Sequence, residues 1–457
     1  MAGYAFSRTP VTVPLVSTGH RSIQTPIPAP GTKEILDRLD AVESRSMHGQ
    51  LPLVWDRAVD FNVFDKAGNK WIDFTSTIFV ANVGHSNPRV VSALKAELDH
   101  PLFSCYAYGS EVRASYHEKL VSFAGSPFEK AFLLSAGTEA TEAVLKLMRM
   151  YGQVKGKRRR GIVCIEGNWH GRTLGAQMMS SNLAQRDWIG YQDQDIHHIP
   201  FPYPWVLDGN SPEDFLAESL SRLSEKGVDV SQDICGFMLE TFQGWGAVFY
   251  PNAYVQAIER VCKENGILLA FDEMQAGFGR TGKAFGFQHY EVTPDLIACG
   301  KGMGGGVPLS GVLGRAEIMD LPEIGNMSST HSANPLVCAA GLAVLEELED
   351  RKLIEETSRK GAILFDGLHR LKEQFPEHVS WILGRGLIAS VLFHSPSGEP
   401  DALFTSRVAE RCMQKGLLVV HTGRESIKIG PPLTISDDAL LEAIDVLGEA
   451  ITEVDAA

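Results

Sequence analysis

Ile267-Leu-Leu-Ala-Phe-Asp-Glu-Met-Gln275 and, further along, Leu296-Ile-Ala-Cys-Gly-Lys-Gly-Met-Gly-Gly-Gly306 decide how this chain folds. Each is an unbroken apolar run that ends abruptly in charged residues or glycine. Continuous apolar runs of this length read as strands buried on both faces, the pattern of a parallel sheet. In open sheets of that kind ligands bind beyond the carboxyl ends of the strands. Asp272 and Glu273, two acids at the end of a buried strand, are costly unless a cationic partner meets them. Lys301 stands among five glycines within seven residues. An amine in such a confined, dry place loses its proton readily and suits attack on an aldehyde. An exposed loop lysine would explain neither the preceding strand nor the glycines. No G-x-x-x-x-G-K-[ST] is present, which excludes a P-loop. Gly277-Phe-Gly-Arg-Thr-Gly282 spells G-x-G-x-x-G, but a carboxylate pair stands where a pyrophosphate would have to come.

Two more strand ends carry polar residues. Leu133-Leu-Ser-Ala-Gly-Thr-Glu-Ala140 turns a strand into a helix that Thr138 can cap, with Ala140, Val144, Leu147 and Met148 on its apolar face. Free amides at a helix start beside Gly137 form a phosphate site, although the same pattern also fits an ordinary capped helix. Glu166-Gly-Asn-Trp-His-Gly-Arg-Thr173 places Trp169 to stack on a flat ring and Arg172 to hold a carboxylate with its planar fork. Taken singly, Trp169 reads equally as core.

From residue 87 to 340, strands expected at Lys130–Leu134, Gly161–Glu166, Ile234–Glu240, Ile267–Asp272, Leu296–Cys299 and Leu309–Gly314 alternate with helices such as Thr138–Met150 and Tyr254–Asn265. This is the pattern of an α/β domain with a mostly parallel sheet covered on both faces. Residues 1–34, rich in Pro, Thr and Ser, are expected to drape over the surface or a partner subunit. A helix over Thr32–Glu43 and strands over Ala58–Asp65 and Lys70–Phe74 complete an N-terminal segment, 1–86. Residues 341–457, with strands near Ala389–Phe393, Leu417–His421 and Ile427–Gly430, form a smaller α+β domain with it.

At 457 residues the chain exceeds one hydrophobic core, and 44% hydrophobic with 21% charged residues is ordinary for a globular protein. A formal net charge of -14 argues against nucleic acid as a partner. The basic run Lys155-Gly-Lys-Arg-Arg-Arg160 reads as a solvated helix-to-strand connection. Seven cysteines without a C-x-x-C pair read as buried thiols in a reducing compartment, with no metal implied. Neither a secretory signal nor a membrane-spanning run is seen, so the expected location is cytoplasmic.

The segments, in order, resemble the class III aminotransferases, the fold type I pyridoxal-5′-phosphate (PLP) group that includes ornithine, acetylornithine and 4-aminobutyrate aminotransferases. The resemblance rests on Trp71-Ile-Asp-Phe74, Gly84-His85, Ser135-Ala-Gly-Thr-Glu-Ala140, Trp169-His-Gly-Arg-Thr173, Glu240-Thr-Phe-Gln-Gly244, Asp272 to Arg280, Gly300-Lys-Gly302, Thr330-His-Ser-Ala-Asn-Pro335 and Pro431-Pro-Leu433. It implies a large PLP-binding domain with a seven-stranded-type sheet plus a smaller domain. It also implies that Lys301 holds the cofactor as a Schiff base and carries the proton, and that Asp272 pairs with the pyridinium nitrogen. Gln275 meets the ring hydroxyl, Gly137 and Thr138 hold the phosphate, Trp169 stacks on the ring and Glu240 joins the cofactor site. Thr330 comes from the neighbouring subunit, so a homodimer is implied. Arg172 matches the substrate-carboxylate arginine, with Ile78 also on the substrate side.

Two positions depart from the family pattern. Many glutamate-using relatives pair a Glu and an Arg as a gate for the substrate carboxylate. Trp245 and Lys428 occupy those positions here. Lys428 can meet a carboxylate only as a point charge, and Trp245 either narrows the pocket or fills space. The expected reaction moves an amino group from a primary amine or ω-amino acid to 2-oxoglutarate or pyruvate by a ping-pong mechanism. The alternative is a racemase, epimerase or aminomutase on the same scaffold.

Overall fold

The computed structural model describes residues 4–456. Met1–Gly3 and Ala457, the extremities of the two expected terminal segments, lie outside the described residues. The chain divides into two compact units: Pro88–Gly244 with Val248–Ile354, and a smaller one made of the described residues up to Asn87, Trp245–Ala247, and those from Glu355 onward.

The larger unit is built on seven strands: β1 (Lys130–Leu134), β2 (Gly161–Ile165), β3 (Ile196–Ile199), β4 (Ile234–Glu240), β5 (Leu268–Asp272), β6 (Leu296–Cys299) and β7 (Ser310–Gly314). Their order across the sheet is β1-β7-β6-β5-β4-β2-β3. Only β7 runs antiparallel to its neighbours. Every residue of β2, β4, β5 and β6 is buried, which is why these stretches read as unbroken apolar runs. In the sheet register Asp272 lies opposite Glu240 on one side and Ala298 on the other. The acids at two neighbouring strand ends and the turn leading to Lys301 are therefore set side by side by backbone pairing alone. β3 went unseen in the sequence because Ile196-His-His-Ile199 lacks an apolar run.

Helix α1 (Pro88–Asp99), α2 (Glu111–Ala124), α3 (Gly137–Val154), α4 (Leu174–Met179), α5 (Asn252–Asn265) and α6 (Pro335–Asp350) belong to this unit. The division expected between 340 and 341 falls inside α6. That helix buries Val344, Leu345 and Leu348 and packs on α1 and α2, so the larger unit keeps the chain as far as Ile354. The basic run is indeed a connection, between α3 and β2. Lys157 Nζ donates to the carbonyls of Ser231 and Asn265, Arg158 pairs with Asp233, and Arg159 lies 3.7 Å from Asp195.

The smaller unit holds a four-stranded antiparallel sheet, Val379–Arg385, Ile388–Phe393, Ser426–Ile429 and Val420–His421. A second sheet takes strands from both chain ends: Leu417–Leu418 runs parallel to Ile72–Asp73. The N-terminal segment is not draped loosely. Val16–Ser17 and Ser22–Ile23 pair as a hairpin, and Ile23 and Ile27 are fully buried in a core with Val63 and Trp71. The strand expected over Ala58–Asp65 is itself a hairpin, Arg57–Val59 against Asn62–Phe64, turned at Asp60 with φ +52°.

After this sheet comes a full left-handed turn. Ser76, Thr77, Ile78 and Phe79 have φ of 46°, 53°, 61° and 69°. Each such non-glycine residue costs about 1–2 kcal/mol, and β-branched Thr and Ile are poorly suited to it. Both ends are fastened. Asp73 accepts from the amide and hydroxyl of Thr75, Ser76 Oγ donates to the Gly430 carbonyl, and the buried Phe79 ring fills the space where Gly430 has no Cβ. None of the described helices is long and apolar enough to cross a membrane.

Candidate active site

Gly137, Thr138, Trp169, Glu240, Asp272, Gln275 and Lys301 line one cavity of about 280 Å³ at the carboxyl ends of the strands in the larger unit. His170, Gly171 and Met274 complete its wall. This is close to the lower limit of roughly 300 Å³ for small-molecule sites.

Asp272 ends β5. Its Oδ1 accepts the Met274 amide at 3.0 Å and its Oδ2 lies 2.9 Å from His170 Nδ1, both side chains being buried. His170 is in turn fixed from behind, its amide donating to Ser180 Oγ at 2.8 Å. The sequence offered His170 next to Trp169, yet no role was read for it. The signal is that a buried carboxylate needs a donor, and this histidine follows β2, a strand of the same sheet separated from β5 only by β4. Across the register, Glu240 Oε2 accepts the amides of Trp169 at 3.1 Å and Gly244 at 3.3 Å.

Glu273, beside Asp272, points elsewhere. It is wholly buried and accepts Thr241 Oγ1 at 2.5 Å, the Gly286 amide at 2.8 Å and the Phe287 amide at 2.7 Å. Its own amide donates to Ala298. Its side chain thus ties the end of β4 to residues 286–287, and its amide joins the end of β5 to β6. Burial pushes its carboxyl up to about 7, against the pull of its three donors.

Lys301 follows β6 in a tight turn at φ +42°. Burial draws its ammonium below the ordinary lysine range, with the Asp272 and Glu240 carboxylates opposing that pull. The surrounding glycines have a specific cause. A Cβ on Gly300 would come 2.6 Å from Met274 Sδ and one on Gly137 2.8 Å from the same sulfur. Met274 fills the space that both glycines leave open.

Helix α3 begins at Gly137, so Thr138 lies inside it and is not its cap. The amides of Ser135 and Ala136 are taken by Glu139 Oε2, while Thr138 Oγ1 lies 2.7 Å from Thr173 Oγ1. The amides of Gly137 and Thr138 make no hydrogen bond among the described residues. Two unsatisfied donors at the start of an 18-residue helix are what an anionic group requires. Together with a readily deprotonated amine and a buried carboxylate in one cavity, they fit the phosphate, aldehyde and ring nitrogen of PLP.

Arg172 and Thr330 do not line the cavity. The Arg172 guanidinium lies over the Trp169 ring, 4.4 Å from its centroid, and Thr330 is exposed. Trp245, Lys428 and Ile78 belong to the smaller unit. There Arg424 stacks on Trp245 at 3.8 Å, and buried Lys428 places Nζ 4.5 Å from the centre of Phe79. Ile78 is 43% exposed at the tip of the left-handed turn.

The sheet order and this cavity define a fold type I, PLP-dependent enzyme. The family model for class III aminotransferases matches residues 44–451. The probable 4-aminobutyrate aminotransferase of Bacillus subtilis is 35% identical over 399 residues, 84% of this chain and 89% of the relative. A leucine/methionine racemase of Thermococcus litoralis is 32% identical over 437 residues, covering 93% and 96%. Among solved structures, an (S)-enantioselective omega-transaminase from Thermomicrobium roseum superposes with a TM-score of 0.83 at 27% identity, covering 92% of this chain and 98% of that one. The chain belongs to the class III aminotransferase family and is a transaminase that uses PLP, an amine donor and a 2-oxo acid.

Proposed function

We propose that the enzyme takes the amino group of a primary amine or ω-amino acid and passes it to 2-oxoglutarate or pyruvate in two half-reactions. The observation that carries this reading is the shared cavity: Lys301 and Asp272 face one space with the free amides of Gly137 and Thr138. PLP, when bound, supplies an aldehyde that condenses with amines and a ring that takes up electrons from the substrate carbon.

The protein's part is positioning and proton handling. Lys301 Nζ, its pKa drawn down by burial, serves as nucleophile and then as the base that moves a proton at the substrate carbon. The Asp272 carboxylate, oriented by His170, keeps a proton at the ring nitrogen. The two helix-start amides bind the phosphate, Gln275 meets the ring hydroxyl, and the Trp169 face covers the ring. Glu240 holds the Trp169 loop through its amide. Arg172 binds a substrate carboxylate by leaving its stack on Trp169, an exchange of about 0.5–1 kcal/mol of cation–ring attraction for a charged, forked hydrogen bond. Trp245, Lys428 and Ile78 act on the substrate side. The working form is a homodimer in which Thr330 completes the neighbour's site, and the seven free cysteines, six of them buried, suit a cytoplasmic location.

The test is incubation with one amine and no oxo acid, followed by the cofactor spectrum. A transaminase converts its cofactor once and stops. Continued turnover, with loss of optical activity in the donor, sinks the proposal and favours the racemase reading that the Thermococcus litoralis relative supports.

A further inference from the structure

A second cavity of the larger unit, about 400 Å³, lies beside α4 and the edge strand β3 and shares no lining residue with the first. Arg186 lines it. This half-buried guanidinium donates to the Met178 carbonyl at 2.8 Å and makes no ion pair with any described carboxylate. Burial accordingly draws its pKa down. Of the two acids on the same wall, Asp193 is neutralised by Arg149 at 2.6 Å and Asp187 is exposed. His198, near the arginine, is pushed down to about 4 by burial and the arginine's charge, so it is neutral and adds no second cation. Met178, Leu183, Ile189 and Ile196 supply an apolar wall. A cation removed from water without a counter-charge is costly. A cavity that holds one beside an apolar wall, its half-buried acid Asp193 already paired, has the chemistry to receive a forked anion.

The cavity is also connected. The carbonyl of Met178 holds Arg186 and that of Met179 lies 3.1 Å from His198 Nε2. Both carbonyls end α4, whose C-terminal Ser180 accepts the His170 amide, and His170 holds Asp272.

We propose that this cavity is an effector site for a small organic carboxylate with an apolar body, and that its occupancy is transmitted through α4 and His170 to Asp272. This goes beyond the transamination reading and does not depend on it.

Benzoate and inorganic phosphate are the probes, titrated into PLP-loaded enzyme by calorimetry with the cofactor absorbance recorded alongside. Benzoate should bind saturably at one site per chain, more tightly than phosphate, and shift the absorbance band. Arg186→Met should weaken benzoate about 10-fold or more, the worth of a hydrogen-bonded charge. Leu183→Trp, at an exposed position that leaves Arg186 in place, should block the cavity and weaken it likewise. Lys301→Ala should still bind benzoate even though transamination is lost. Unchanged affinity in both cavity variants, loss of binding in Lys301→Ala, or phosphate binding as tightly as benzoate would each overturn the assignment.

Discussion

The strand-end cavity and the cluster around Trp245 and Phe79 hold their charges by different means. In the cavity, Asp272 and Glu240 are each fixed by two directional hydrogen bonds, and Glu273 behind it by three, from backbone or neighbouring side chains. In the smaller unit, Lys428 places its ammonium over the face of Phe79, and Arg424 lies over Trp245 while also pairing with the adjacent Glu425 at 3.1 Å. A hydrogen bond weakens steeply when its angle opens. Attraction to a ring face tolerates lateral movement and is worth only about 0.5–1 kcal/mol at exposed sites, rising to about 2 kcal/mol when desolvated. The first arrangement suits chemistry, which needs atoms fixed in place. The second lets a cation shift across a ring face without losing its contact.

Breaking the first region should cost most. Lys301→Ala should lower kcat by about 10⁴-fold, and borohydride reduction with peptide mapping should find the phosphopyridoxyl tag on Lys301 of the parent enzyme alone. His170→Asn, which leaves Asp272 in place but unoriented, should lower turnover by about 10–100-fold, the usual range for an outer partner of a catalytic group. It should also shift the pH midpoint of the cofactor spectrum, which a merely structural histidine would leave alone.

Glu273 offers a pH test of the same region. The unfolded chain releases this proton in the ordinary carboxyl range, whereas the native protein keeps it to about 7. The stability due to Glu273 is therefore fully present below the ordinary range and is lost as pH rises towards 7. Melting temperature followed from pH 4.5 to about 7 should fall in the parent and fall less in Glu273→Gln. Equal slopes would mean that the carboxylate is already ionised.

The second region should respond more gently. Arg424→Met removes a cation–ring contact and the exposed ion pair with Glu425, and should lower stability by about 0.5–1 kcal/mol, read as a small fall in melting temperature. Thr77→Gly should raise stability slightly, by roughly 0.5–1 kcal/mol, the relief of a left-handed conformation less the entropy that glycine adds to the unfolded chain. A lower melting temperature in that variant would show that the turn is not strained.

What could be read in advance follows from how each part is encoded. Asp272, Lys301, Gly137, Trp169 and Glu240 stand at strand ends, where an apolar run stops at a polar residue, and that contrast survives in one dimension. His170 stays hidden because its partner lies 102 residues away, and Thr138 reads as a cap although Ala136 holds that position and Gly137 already begins the helix. The N-terminal hairpin stays unseen because its strands are two residues long, pair with each other, and join the sheet only through Ser22 opposite Lys70.

The sequence by itself determined the class of sheet, the strand-end positions of the acids and the lysine, and the family, because periodicity and local motifs are properties of neighbours in the chain. The tertiary structure alone decided that Met274 is the reason for two glycines, that Glu273 joins the ends of three strands through its side chain and its amide, that Arg172 rests on Trp169, and that Arg186 makes no ion pair with any described carboxylate. Those are relations between distant segments, and they exist only once packing has brought the segments within a few ångströms of one another.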